Sequence, residues 1–242
     1  MQLLVVGAGE MGRWFARHSG ADAVSFTDRD DEVASEAAAA ADATAVPLDT
    51  DERFDVVCVA VPMTTVPDAI AEHAAKATEA VVDVSGEMRD SVAALSAHAT
   101  GRERASFHPL FSASNAPGNL PVVVDAGGPT VDSIRESLSA AGNEVFETTP
   151  EEHDRAMETV QAKAHTAVLA YALAAEEVDE RFQTTLSEPL EELVDGIVGN
   201  TPEVYAEIQE RFEGSDSVAE VARALADADR EAFLDLYEEA GR

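Results

Sequence analysis

The sequence predicts an α/β domain over residues 1–148, followed by an all-helical domain over residues 149–242. Three observations support this fold class. Short apolar runs alternate with helical patterns in the first part, a glycine-rich motif follows the first run directly, and strand signals stop after residue 148. Such alternation is typical of βαβ units and a mostly parallel sheet. The predicted strands are residues 3–6, 23–27, 56–61, 80–84, 105–107, 122–125 and 144–147.

The helical domain begins with three agreeing signals. Thr149 is a predicted N-cap, Pro150 occupies the first helical position, and Glu152 lies three residues after the cap. We expect this first helix to run to about Arg181. Further helices are predicted at residues 189–198, 202–213, 217–226 and 229–240, with glycine and proline residues between them.

The composition is strongly acidic. Forty-eight Asp and Glu residues against sixteen Lys and Arg residues give a formal charge of −32, which disfavours binding to a nucleic-acid backbone. Because the acids are spread along the chain, we interpret them as adaptation to a high-salt cytoplasm, where salt screens self-repulsion. A surface for a cationic partner is the alternative. The lone Cys58 fits a reducing cytoplasm, and no apolar run is long enough to span a membrane.

The glycine-rich motif predicts a cofactor site. Residues 7–12 read Gly-Ala-Gly-Glu-Met-Gly and match the G-x-G-x-x-G pattern of Rossmann dinucleotide-binding domains, between a strand and a helix. The first glycine allows the tight turn, the second lets the backbone approach a pyrophosphate, and the third lets the helix pack on the strand. Glycines in an ordinary β–α turn are the alternative. The predicted cofactor contacts are Gly7, Ala8, Gly9, Glu10, Met11, Gly12, Asp28, Arg29, Val61 and Pro62.

Asp28 favours NAD over NADP. It ends the second predicted strand, near the distance at which an acidic residue binds the ribose hydroxyls. Its charge would repel a 2′-phosphate, although the neighbouring Arg29 could hold one. The sequence therefore predicts NAD as the cofactor and indicates no metal.

Three strand ends point to chemistry, because ligands of such sheets lie at the carboxyl ends of the strands. These ends carry Val61 and Pro62, then Ser85, then His108. A neutral histidine with a pKa near 6.5 suits a base that takes a hydroxyl proton as hydride leaves the same carbon. A structural histidine that caps the strand end is an equal alternative.

The pattern around His108 resembles a known family. His108-Pro109-Leu110-Phe111 is similar to the His-Pro-Met-Phe signature of prephenate dehydrogenases. The order and spacing of further motifs match that family over the whole chain: Glu152-His153-Asp154, Met157, Gln161-Ala162, His165, Leu186-Ser187-x-Pro189 and Tyr205-Ala206-Glu207-Ile208.

The resemblance implies NAD-dependent oxidative decarboxylation of prephenate to 4-hydroxyphenylpyruvate in tyrosine biosynthesis. It implies that His108 polarises or deprotonates the ring hydroxyl, that Ser85 reaches the same hydroxyl, and that His165 enters the cleft from the helical domain. It also implies a homodimer packed through the helical domains, in a short form without a regulatory domain. For His153, in the first turn of its helix, a structural role is favoured because a cation there opposes the helix dipole.

The sequence departs from the family in two places. After the fifth strand, Ser85 stands one position earlier than the family's serine, and Met88 stands where the family has a lysine, with Arg89 as a candidate replacement. Asn200 stands where the family commonly places an arginine for a substrate carboxylate, and an amide cannot reproduce that bidentate contact. The remaining candidate cations for a dianionic substrate are Arg155, Lys163 and Arg211.

Other functions stay open at this point. Arogenate dehydrogenase differs only in substrate. A β-hydroxyacid dehydrogenase or an imine reductase shares the architecture, and the first of these would place a lysine such as Lys163 in the inter-domain helix. A regulator that senses NAD without catalysis is an alternative of a different class.

Overall fold

The chain divides into two units, Met1–Asp154 and Arg155–Arg242. The computed structural model describes residues 1–242, apart from the side chain of Glu180. The division lies a few residues after the expected boundary at residue 148, because the first helical turn after that point keeps its contacts with the first unit: the backbone N–H of Met88 donates to Asp154 Oδ1 at 3.1 Å.

The first unit is built on one eight-stranded sheet. Its strands are β1 (Gln2–Val6), β2 (Ala23–Thr27), β3 (Thr44–Ala45), β4 (Phe54–Val59), β5 (Ala77–Val84), β6 (Glu103–Phe107), β7 (Asn119–Ala126) and β8 (Glu144–Glu147). The strand order is β3-β2-β1-β4-β5-β6-β7-β8. All neighbours are parallel except β6 and β7, which pair antiparallel. The first six strands thus have the order of a Rossmann sheet, and the predicted fold class is confirmed.

Helices cover both faces of this sheet. They are α1 (Glu10–His18), α2 (Asp31–Ala41), α3 (Val66–His73), α4 (Arg89–His98) and α5 (Pro129–Ala140). In β1, Leu3 and Val5 join the core on one face, while Leu4 and Val6 join the core on the other. A strand buried on both faces has to be apolar at every position, which explains the unbroken apolar run that opens the sequence.

The second unit is helical. Its elements are α6 (Pro150–Met157, which begins in the first unit), a π-helical segment (Glu158–Lys163), α7 (Ala164–Ala174), α8 (Ser187–Val198), α9 (Pro202–Arg211), α10 (Ser215–Asp227) and α11 (Arg230–Ala240). Thr149 is the predicted N-cap, since its Oγ1 accepts from the N–H of Glu152 at 3.2 Å. No helix of the described residues is long and apolar enough to cross a membrane.

The first helix of the second unit ends earlier than predicted. This helix runs without a break through α6, the π-helical segment and α7, and it stops at Ala174, whereas the sequence predicted that it continues to about Arg181. The residues that follow include Glu176, Glu177 and Asp179, whose negative charges oppose the dipole at a helix C-terminus. These residues are exposed, so burial does not offset that cost.

Candidate active site

The candidate site lies at the carboxyl ends of the parallel strands. Val6 at the end of β1 pairs with Thr27 of β2 on one side and with Val59 of β4 on the other. Farther along the sheet, Val84 at the end of β5 pairs with Phe107 of β6. The residues that follow the strands therefore meet at one edge of the sheet. This edge brings together the glycine-rich loop, Asp28, Val61, Pro62, Ser85 and His108.

Two glycines of the loop are required by packing. Gly7 has a φ of +97°, and a Cβ there would lie 2.2 Å from the carbonyl oxygen of Ala60. A Cβ on Gly12 would lie 2.0 Å from the carbonyl oxygen of Gly7. Any larger residue at either position would force the loop, the strand and the helix apart.

Gly9 has a different reason to be glycine. A Cβ on Gly9 would meet nothing within 4 Å, so the packing of this chain does not require a glycine there. Gly9 is the N-cap of α1 and supplies no side-chain cap, which leaves the first N–H groups of Glu10 and Met11 uncapped. An open backbone surface at a helix N-terminus fits a phosphate group that approaches the chain closely.

Asp28 is fixed beside the loop. Its Oδ2 accepts from the N–H of Ala8 at 2.8 Å, and its Oδ1 accepts from the N–H of Asp30 at 3.1 Å. Each carboxylate oxygen has a further lone pair that can accept from a ribose hydroxyl. The adjacent Arg29 is exposed, Val61 is half-buried and Pro62 is exposed.

Ser85 and His108 follow the neighbouring strands β5 and β6, and both are buried. The Ser85 N–H donates to the carbonyl of Phe107 at 3.0 Å, and its hydroxyl oxygen accepts from the N–H of Glu87 at 3.3 Å. The His108 N–H donates to the carbonyl of Pro121 at 3.0 Å. Both backbones are thereby held by the sheet, and both side chains lie at the same edge.

A chain of buried side chains leads away from His108. His108 Nδ1 lies 2.8 Å from His153 Nε2, and His153 Nδ1 lies 2.8 Å from Asp154 Oδ1. The Asp154 carboxylate also accepts from the N–H groups of Met88 at 3.1 Å and Arg89 at 3.3 Å. The Asp154 side chain, 8% exposed, is therefore anchored at the start of α4.

Burial changes the acid–base properties of these groups. Burial, together with the neighbouring His153, lowers the pKa of His108 to about 3, although Asp154 opposes the shift. The sequence predicted titration near neutrality; instead His108 stays neutral at neutral pH. Burial raises the pKa of Asp154, but hydrogen bonds from His153 and the Met88 N–H outweigh it, so this pKa lies below its usual value. Burial holds the pKa of Asp83 well above its usual value.

The sequence did not predict the hydrogen bonds that link His108, His153 and Asp154. It favoured a structural role for His153 and assigned no role to Asp154. A signal was present in the adjacent pair His153-Asp154 directly after a capped helix start. His153 lies one turn into α6, where its side chain turns toward the sheet edge and is buried.

His165 belongs to the second unit. It lies on α7, its ring stacks edge-on against Tyr205 with 4.8 Å between ring centroids, and burial lowers its pKa. Tyr205 and Asn200 line a pocket of about 370 Å³ that is mostly apolar. The Asn200 amide donates to the Tyr205 hydroxyl at 3.2 Å, so Asn200 is part of this wall.

The cations expected near the site differ in their surroundings. Arg89 is 59% exposed on its side chain, and its Nε lies 3.9 Å from Asp154 Oδ2. Arg155 and Arg211 are exposed, while Lys163 is half-buried in the π-helical segment. Among the side chains that the structure describes, no group of three or more His, Cys, Asp or Glu residues could hold a metal ion.

Comparisons with known proteins show what the chain is similar to. Residues 2–87 match the family model described as NADP oxidoreductase coenzyme F420-dependent. A probable arogenate/prephenate dehydrogenase of Methanocaldococcus jannaschii is 24% identical over 99% of this chain, which spans 60% of that relative's length. A 4-amino-4-deoxyprephenate dehydrogenase of Streptomyces pristinaespiralis is 28% identical, covering 98% of this chain and 88% of that protein.

Solved structures extend the similarity to the fold. Prephenate dehydrogenase from Aquifex aeolicus, in complex with hydroxyphenyl propionate and NAD⁺, superposes with a TM-score of 0.73 at 18% identity, covering 99% of this chain and 93% of that one. Synechocystis arogenate dehydrogenase gives a TM-score of 0.64 at 16% identity, with 94% and 90% of the chains covered. The chain is therefore similar in sequence to proteins named as prephenate and arogenate dehydrogenases, and it has the fold of these solved structures.

Proposed function

We propose that this chain is an NAD-dependent dehydrogenase that converts prephenate to 4-hydroxyphenylpyruvate by oxidative decarboxylation. The observation that carries the proposal is the position of His108, a neutral imidazole at the same sheet edge as an open, glycine-rich dinucleotide loop. The names of the relatives support the reaction class.

The chain's own residues fit the cofactor. The N–H groups at the start of α1 would hold the pyrophosphate over Gly9, and Asp28 would accept from the ribose hydroxyls. Its negative charge would disfavour a 2′-phosphate, which supports NAD as the preferred cofactor. Bound NAD would supply the hydride acceptor. Gly7, Ala8, Glu10, Met11, Gly12, Arg29, Val61 and Pro62 complete the proposed cofactor site.

His108 would act as the base toward the substrate hydroxyl. A lone pair at the strand end can accept the hydroxyl proton while the C–H bond of the same carbon breaks. Ser85, at the end of the adjacent strand, would orient that hydroxyl. Its Oγ accepts from the Glu87 N–H, so the hydroxyl hydrogen of Ser85 is not used in that bond and can donate to the substrate. His165 would position the substrate from the helical unit.

The substrate's two carboxylates need cationic partners. Arg89 is the best candidate to bind a substrate carboxylate. It is exposed at the start of α4, four residues after Ser85 at the end of β5. Its guanidinium keeps donors for a carboxylate beyond its distant pair with Asp154. The amide of Asn200 offers hydrogen bonds without charge, so we expect weaker substrate binding than an arginine would give.

We also infer a homodimer formed through the helical unit. Apart from Phe146, every exposed large apolar side chain of the described residues lies in this unit, and Leu173 is 88% exposed. A surface of this kind on a highly charged protein favours burial against a second copy. The exposed apolar side chains on the π-helical segment, α7 and α11 include Val160, Leu173, Phe233, Leu234 and Tyr237.

We further propose that the chain works in a reducing cytoplasm with high salt, which suits the buried Cys58 and the charge of −32.

The test is a screen of the purified full chain in molar salt. NAD and NADP are each paired with prephenate, arogenate, 4-amino-4-deoxyprephenate and simple β-hydroxyacids, and reduced cofactor and carbon dioxide are measured. Equal amounts of NADH and carbon dioxide from prephenate are expected. Turnover of β-hydroxyacids alone would identify a related oxidoreductase instead, and tight NAD binding without any turnover would identify a sensor.

A further inference from the structure

The hydrogen-bond chain fixes the tautomer of each imidazole when both rings are neutral. Asp154 is ionised, so His153 Nδ1 must carry the hydrogen that lies between them. In the state with both rings neutral, His153 Nε2 holds a lone pair, and His108 Nδ1 donates to it. The lone pair of His108 is thereby assigned to Nε2, on the side of the ring away from His153.

We propose that His108, His153 and Asp154 form a proton relay, in which His153 fixes the reactive tautomer of His108 and then takes over the proton that His108 receives. This inference rests on the proposed role of His108 as the base. It gives His153 a function beyond the structural role that the sequence favoured, and it gives Asp154 a function that the sequence did not assign. Both act through His108, because neither touches the reacting carbon in the proposed site.

The step is balanced in protons and electrons. When bound, NAD would accept the hydride that leaves the substrate carbon. At that carbon the O–H bond would break, its electron pair would become the second C–O bond, and the proton would join His108 Nε2. The Nδ1–H bond of His108 breaks, and that proton joins His153 Nε2. His108 ends neutral with its hydrogen on Nε2, while His153 ends as a cation bonded to Asp154. Both hydrogen bonds remain, and only the direction of the first is reversed.

The surroundings favour the charge on His153 over His108. A cation on His153 opposes the dipole at the start of α6, but it would lie 2.8 Å from the Asp154 carboxylate. Low dielectric in this buried site strengthens that attraction, so the carboxylate outweighs the dipole. The pKa of His108 is lowered to about 3, so this imidazole alone is a poor resting place for a proton. A base works best when its pKa is near the working pH, and handing the proton to the His153–Asp154 pair removes the mismatch.

His153→Gln separates orientation from proton transfer. A glutamine oxygen can accept from His108 Nδ1–H, but it cannot take the proton. We expect kcat to fall by about 10²-fold or more with the Kd for NAD unchanged. His73→Gln is the matched control, because His73 is also buried in the first unit, bonded to Lys76 away from the site, and we expect its kcat to stay that of the wild type. A wild-type kcat in His153→Gln would overturn the relay.

Two measurements on the wild-type chain remain decisive if that variant fails to fold. Nitrogen-15 NMR of the ring nitrogens, assigned with His108→Asn, should show hydrogen on Nδ1 of His108 and a lone pair on Nε2 at neutral pH. The opposite tautomer would overturn the inference even if no substrate were oxidised, which separates its failure from that of the proposed function. With a substrate, kcat should depend on the deuterium fraction of the solvent along a curve, as for two moving protons, and a straight line would contradict the relay.

Discussion

The buried His108 should make the folded chain sensitive to acid. Below about pH 6.5 an unfolded chain binds a proton on this residue, while the folded chain does not bind it until about pH 3. Stability is therefore retained above the unfolded pKa and is lost as the pH falls through it. The loss approaches ~1.4 kcal/mol for each pH unit, or about 2 kcal/mol between pH 7.5 and pH 5.

The assay is chemical denaturation in molar salt at a series of pH values, for wild type and His108→Asn. Other groups titrate as well, and burial also lowers the pKa values of His73 and His165. Because both proteins contain those groups, the difference between the two stability curves isolates His108. We expect the wild type to lose about 2 kcal/mol more than the variant over that pH range. Parallel curves would refute the argument from burial.

Three further predictions concern the cofactor, the assembly and the charge. Asp28→Asn keeps an acceptor for the Ala8 N–H but removes the charge, so the ratio of kcat/KM for NAD to that for NADP should fall; equal use of both cofactors by the wild type would contradict the role of Asp28. Light scattering in molar salt should give twice the chain mass of 25.5 kDa, and Leu173→Glu should shift the mass toward the monomer; a wild-type monomer at micromolar concentration would rule out the dimer. Lowering the salt lengthens the range of repulsion among charges that sum to −32, so Tm should fall in dilute buffer, and a Tm independent of salt would count against adaptation to salt.

Local patterns were sufficient to predict the parts of the site that depend on neighbours in sequence. The glycine-rich loop, Asp28 and the strand end at His108 are each marked by residue types within a few positions of a strand. Thr149 was predictable as a cap for the same reason, because capping needs only the next three residues. The strand β3 was missed, since two residues are too short to show a periodic pattern.

Features that depend on distant partners were not predictable in this way. In the π-helical segment the Ala162 carbonyl accepts from the Gln209 side chain at 3.1 Å, a contact across 47 positions of sequence. The bond between His108 and His153 spans 45 positions, and the low pKa of His108 depends on burial that no sequence window reveals. Periodicity shows which face of an element is apolar, but it does not show which polar group a buried side chain meets.

The proposed function makes His108 the base of an NAD-dependent dehydrogenase. It is tested most directly by the turnover of prephenate in wild type and His108→Asn, with the Kd for NAD measured on the same samples. We expect kcat to fall by about 10²–10⁴-fold, the usual effect of a positioned acid–base group. The Kd should not change, because the loop at Gly9 and the carboxylate of Asp28 are untouched. A variant that binds NAD and retains nearly the wild-type kcat would contradict the claim.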